Sequence, residues 1–139
     1  MVADELRYPA LSFLANGALT VVASSDHLTR NTRRGLKRGY YAGLRLVDMS
    51  GRWFVIRSAR KLHGWSGYSL LLNQWIRVEL DVEDTGREAG LDEVRRMVLK
   101  DFAAWDGWSS RGDFDVLVQR VEAARTIPDL LETMAAMVR

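Results

Sequence analysis

The chain has 139 residues, 47% of them apolar and 27% charged, enough for one globular domain spanning 1–139 with a single core. It holds no cysteine, which excludes a disulfide framework and any thiolate metal site. Its net charge of +2 hides an uneven split: residues 1–80 carry twelve Arg and Lys against five Asp and Glu, net +7, and residues 81–139 carry eight against thirteen, net −5. Either the two halves neutralise one another through pairs worth roughly 0 to 1 kcal/mol each, or a basic surface steers an acidic partner. The first residues, MVADELRYPA, show no cationic segment followed by an apolar run, and no stretch approaches the ~18 apolar residues of a membrane span. A soluble, cytoplasmic protein without a membrane partner is expected.

In chain order, Leu11–Ala15 and Ala18–Ser24 flank Asn16-Gly17, a dipeptide suited to a type I′ turn because both residues tolerate positive φ. This predicts a first hairpin. Residues 24–39, SSDHLTRNTRRGLKRG, contain only Leu28 and Leu36 as large apolar residues and read as a connection with one helical turn capped by Ser25 or Asp26.

Tyr40 to Arg60 reads as a second hairpin whose register is set by side-chain matching. A two-residue Ser50-Gly51 loop opposes Leu44 to Arg57 and Arg45 to Ile56, mixing polar and apolar groups on each face. A three-residue loop, Met49-Ser50-Gly51, with Gly51 left-handed, opposes Leu44 to Ile56, Leu46 to Phe54 and Asp48 to Arg52. The face formed by Leu44, Leu46, Phe54 and Ile56 is then expected beneath the helices. The other face, with Tyr41, Arg45, Val47, Trp53, Val55 and Arg57, is expected to stay wet.

Lys61 to Ser69, KLHGWSGYS, has no periodicity and reads as a loop. Ile76, Val78, Leu80 and Val82 alternate with Arg77, Glu79, Asp81 and Glu83, the pattern of a half-buried strand whose carboxylates pair with Arg45 and Arg57. Asp84 to Gly90 is expected to break that strand, after which the period becomes helical. Leu91, Val94, Val98, Phe102 and Trp105 share one stripe, and Phe114, Leu117, Val118, Val121 and Ala124 share another. Thr126-Ile-Pro-Asp129 reads as a capping box opening a last helix on Leu130, Leu131, Met134 and Val138. Strands grouped before helices predict an α+β fold. About five antiparallel strands, two hairpins plus a further strand, carry about three helices packed on one face.

Groups that carry chemistry are few. His27 and His63 lie in separate loops, no H-E-x-x-H occurs, and no metal site is expected. His63-Gly-Trp-Ser-Gly67 lacks the Gly-x-Ser-x-Gly of a nucleophile elbow, and Gly35-Leu-Lys-Arg-Gly39 lacks the Lys-Ser/Thr of a phosphate loop and leads into a strand. Glu79, Asp81 and Glu83 lie among arginines, which lower carboxylate pKa values and suit ion pairing rather than acid catalysis. No catalytic residue and no cofactor follow; a small-ligand site around His63, Trp65 and Tyr68 is the remaining chemical option.

Binding has more support. Arg30, Arg33, Arg34, Lys37 and Arg38 lie within nine residues and are followed by Tyr40, Tyr41, Trp53 and Trp65, an interleaving of cations and rings that also occurs on nucleic-acid surfaces. No RNP, KH or helix-turn-helix signature accompanies it. Trp105 to Phe114, with two tryptophans and an arginine, is a second candidate interface; in the alternative, Trp105 completes a helix stripe and Trp108 folds under its loop, with Ser110 or Asp113 capping the next helix. The residues assigned to partner binding are Arg33, Arg34, Lys37, Arg38, Arg45, Trp53, Arg57, His63, Trp65, Tyr68 and Trp108.

LKRGYYAGLRLVDMSGRWFVIRSARKLHG, LLNQWIRVEL and SSRGDFDVLVQRV resemble segments of small bacterial proteins of unknown function, some of which are similar to the immunity proteins of toxin systems. The resemblance implies a non-enzymatic module that binds and blocks another protein, and it carries no motif residues across. The alternative from the residues alone is a nucleic-acid binder working through 30–61.

Overall fold

The computed structural model describes residues 1–62 and 75–137. A 3-10 turn (Ala3–Glu5) precedes β1 (Ala10–Phe13) and β2 (Leu19–Val22). Then come α1 (Ser25–Thr29), β3 (Arg30–Thr32), α2 (Arg33–Lys37), β4 (Arg45–Val47), β5 (Arg52–Lys61) and β6 (Trp75–Glu88). Four helices close the chain: α3 (Leu91–Ala104), α4 (Asp106–Ser109), α5 (Phe114–Ala123) and α6 (Ile127–Met137). The six strands form one antiparallel sheet in the order β2-β1-β4-β5-β6-β3, so the predicted α+β class holds, with one more strand and more short helices than expected.

Both hairpins turn in the same way. The predicted central register is present: Leu46 faces Phe54, Val47 faces Trp53, and the Ile56 N–H donates to the Leu44 carbonyl. Gly51, at φ 76°, closes the loop by donating to Asp48 O at 2.9 Å. In the first hairpin Phe13 faces Leu19, Leu14 N donates to Ala18 O, and Gly17 N donates to Leu14 O at 2.8 Å. That leaves the three residues Ala15, Asn16 and Gly17 in the loop and replaces the predicted two-residue turn. Gly17 at φ 91° supplies the left-handed residue, while the Asn16 side chain accepts the Ala18 N–H at 2.9 Å, the local bond Asn makes in turns.

The face assignment is corrected. The helices cover Leu11, Phe13, Leu19, Val47 and Trp53, packing Val94, Val98, Phe102, Leu117, Val121, Leu130, Leu131 and Met134 against them. Trp53, expected on a wet face, is 5% exposed, lies 6.0 Å from the Phe13 ring, and donates its indole N–H to Glu93 Oε1 at 2.8 Å. The face with Leu44, Leu46, Phe54 and Ile56 belongs to a second core, in which the sheet curls so that Ile76, Val78, Leu80 and Val82 of β6 meet it. Leu28 of α1, Tyr41, Ala3 and Leu6 complete that inner core. The reason is β6, which does not break at Asp84 but continues to Glu88, fourteen residues that follow β5 around the curl. Shifts in its pairing between Arg52 and Phe54 and between Ile56 and Ser58 add the local twist that curling requires.

The helical stripes are present with one exchange. Leu117, Val121 and Ala124 are buried as expected, and α6 buries Leu130, Leu131 and Met134. Val138 lies outside the described residues. At the start of α6, Thr126 Oγ1 accepts the Asp129 N–H at 3.1 Å, and the Asp129 carboxylate accepts the Arg125 N–H rather than that of Thr126. Trp105 does not finish the α3 stripe. The helix stops at Ala104, Trp105 takes extended angles and is 61% exposed, and Trp108 turns back to be 5% exposed against Phe102 at 4.7 Å. Asp113 pairs with Arg111 instead of capping α5, and the carbonyls at that helix's end are held from α3, where the Arg95 guanidinium donates to Val121 O and Ala124 O.

Candidate functional site

The outer surface of β5 and β6 is self-neutralised. Arg57 makes two parallel hydrogen bonds to Glu83, at 2.6 and 2.7 Å, Arg60 meets Glu79 at 2.9 Å, and Arg52 meets Asp84 at 2.9 Å. The Arg57 hydrogen bonds hold the Glu83 carboxyl below the usual carboxylate range. Arg45, also expected to meet a carboxylate, instead lies over the Trp53 ring at 5.4 Å. Arg45 and Arg57 are thus solvent-facing but already engaged, one by a ring and one by a carboxylate.

The segment read as a connection with one helical turn contains that turn, capped by Ser24 rather than Ser25 or Asp26, and two further ordered pieces, β3 and α2. The Ser24 Oγ accepts the His27 N–H to cap α1, and the Thr32 Oγ1 accepts the Gly35 N–H at 3.0 Å to cap α2. α2 lies against β3, and a Cβ at Gly35 would stand 2.3 Å from Asn31 Oδ1, so a larger residue there would have to push the Asn31 side chain aside. Arg34, Lys37 and Arg38 fall at helical spacing i, i+3 and i+4, are all exposed, and have no ion-pair partner among the described residues. They gather where the helix ends, where its dipole favours cations. Arg33 opens α2, and its side chain lies outside the described part of the structure, as do His63, Trp65 and Tyr68.

β2 and β3 are the two edges of the curled sheet, and between them lies a cleft of about 560 Å³. Val22 and Leu28 form its apolar floor, and Ser12, Thr20 and Asn31 are its polar lining. His27, Arg30, Tyr40 and Trp75 stand at the rim with Asp26. Ser12 is 2% exposed, and among the described residues its hydroxyl reaches only Thr20 O at 3.5 Å, at the outer limit of a hydrogen bond. The Asn31 Oδ1 accepts the Thr32 N–H at 2.7 Å, and its side chain also hydrogen-bonds to Tyr41. Tyr40 packs edge-on against Tyr41 at 5.0 Å, and the Tyr41 hydroxyl donates to Leu28 O at 2.7 Å, with burial pushing its pKa up to about 12.

A serine, a histidine and an aspartate at one cleft invite a test for triad chemistry. It fails on hydrogen bonding: the His27 Nδ1 accepts the Ala23 N–H at 3.3 Å, so it cannot donate to a carboxylate, and Asp26 is paired with Arg77 at 2.9 Å. The same bond places the proton of the neutral imidazole on Nε2, making His27 a donor. The lining can hold and orient a molecule, and among the described residues no carboxylate–imidazole relay reaches Ser12.

Of the residues assigned from sequence, Arg34, Lys37 and Arg38 come together on α2. Trp53 and Trp108 are corrected to core positions. The Trp108 indole N–H donates to Asp101 Oδ2 at 2.7 Å, and its neighbour Trp105 is the exposed ring. Sequence reasoning passed over Ser12, Thr20, Asn31 and Trp75. A serine between Leu11 and Phe13, in a strand buried at every position, was the available signal for the cleft. Comparison with protein-family models, with curated proteins and with solved structures gave no match.

Proposed function

We propose that the protein is a non-enzymatic module that binds an acidic protein partner, of the inhibitor or immunity type, through the α2 cations. The observation that carries this reading is the contrast between Arg34, Lys37 and Arg38, exposed and unpaired among the described residues, and the neutralised β5–β6 surface. Nucleic-acid binding through 30–61 has lost most of its stacking rings, because Tyr41 and Trp53 are in the cores and Tyr40 is packed on Tyr41.

The test is nuclease-treated affinity capture from the native host, run in parallel with the triple charge reversal Arg34→Glu, Lys37→Glu, Arg38→Glu. A protein retained after nuclease and lost with the triple variant supports the proposal. Capture that vanishes on nuclease treatment, or that the reversal leaves unchanged, overturns it.

A further inference from the structure

We propose that the cleft between β2 and β3 binds a small heteroaromatic anion, with the chemistry of a nucleoside monophosphate, and that this site is separate from the α2 surface. The cleft is the open mouth of the curled sheet, a usual place for a ligand, and its volume of about 560 Å³ falls within the roughly 300–1,000 Å³ that holds small molecules. Three features together define the occupant. Trp75, 57% exposed on the first residue of β6, offers a flat apolar face at the rim, and Tyr40 lines the same opening. An exposed indole of this kind holds a planar group by stacking, whatever its substituents.

The second feature is a polar group left incompletely satisfied inside the cleft. A serine hydroxyl at 2% exposure with one bond stretched to 3.5 Å is costly to bury. A ring with its own donors and acceptors satisfies Ser12; a plain hydrocarbon ring does not. The third is charge. Arg30 is exposed at the rim without an ion-pair partner among the described residues, and His27 presents a donor. The one rim carboxylate, Asp26, is compensated by Arg77 at 2.9 Å. An anionic group therefore meets donors and no uncompensated negative charge.

The experiment is calorimetric titration at low ionic strength of the intact chain with adenosine, guanosine, uridine and cytidine 5′-monophosphates, with amide shifts mapped by NMR. Saturable one-site binding by at least one of them, with shifts concentrated in β2, α1 and β3, is expected. Trp75→Ala should weaken it about tenfold or more. Arg30→Gln should abolish the preference for the monophosphate over the same nucleoside, and Ser12→Ala should reduce the discrimination among bases.

A 5′-phosphorylated trinucleotide separates two sources of the same chemistry: affinity equal to that of the mononucleotide assigns the free nucleotide, and tighter binding assigns a strand end. No saturation by any of the four at about 1 mM, or binding that both Trp75→Ala and Arg30→Gln leave unchanged, overturns the proposal. The α2 triple reversal should leave nucleotide affinity intact, so failure here and failure of the protein-binding reading are distinguishable.

Discussion

The two sides of the sheet are built on different terms. On the outer side α3, α5 and α6 cover Trp53, Phe13 and Val47 in an apolar layer, from which the Trp53 and Trp108 indoles reach Glu93 and Asp101, while the ion-paired strip of β5 and β6 beyond it stays exposed. The inner side is closed by the sheet's own curl, with the one-turn helix α1 as its lid, and it opens into the cleft at the β2–β3 seam. Long helices can bury a whole face because their apolar stripe is continuous over several turns. Helices of five residues cannot, so the side they cover keeps polar groups and an entrance. The proposed cleft site accordingly lies on the inner side's rim, with the helix layer packed behind the sheet.

The sharpest way to break this comparison is to cut equivalent leucines from the two cores. Leu130→Ala, at 0% exposure under the helices, should cost about 2–5 kcal/mol in denaturant unfolding. Leu28→Ala, in the α1 lid, should fall at the low end of that range, about 2 kcal/mol, because a single turn can settle into the space. Equal losses would show the lid to be as rigidly packed as the helix layer. A smaller effect is expected from Asp48→Ala. Its buried carboxylate accepts the N–H groups of Arg7 at 2.8 Å and Ser50 at 2.9 Å, so about 1–3 kcal/mol should be lost with both donors stranded.

The smallest change belongs to the β5–β6 surface. Arg57→Ala should alter unfolding little, and less still at high salt, while returning Glu83 to an ordinary titration in NMR. Because Arg57 lowers the folded pKa of Glu83, the pair contributes at neutral pH. That contribution is lost as pH falls from the ordinary carboxylate range, about 4.3, through the lower folded value. If the variant lost as much stability at neutral pH as at acid pH, the ion pair would not be the cause.

The amino-acid pattern carried the class of fold and the central register, because Leu46 opposite Phe54 is the only pairing that sorts like with like. It did not carry which face the helices take. Val47 and Trp53 on one side and Leu44, Leu46, Phe54 and Ile56 on the other are both apolar enough to bury, and the decision is made by the curl that β6 imposes. The exchange of Trp105 and Trp108 has a similar cause: helical spacing assigns Trp105 to the stripe, and spacing does not mark that α3 ends one residue earlier. β3 and α2 were hidden in a run of charges, since strands of three residues are too short to show a period. The cleft was illegible as a whole because its lining comes from β1, β2, α1, β3 and β6, which lie far apart in the chain.

β6 runs from Trp75 at the cleft rim to Glu88, two residues before the N-cap of α3, roughly 40 Å along the strand. It lines the inner core with its first half and hands the chain directly to the helix layer with its second. A segment shared in this way leaves neither layer able to melt while the other persists, since loss of β6 removes a wall from one and the tether from the other. The protein should therefore unfold in one cooperative step despite having two cores.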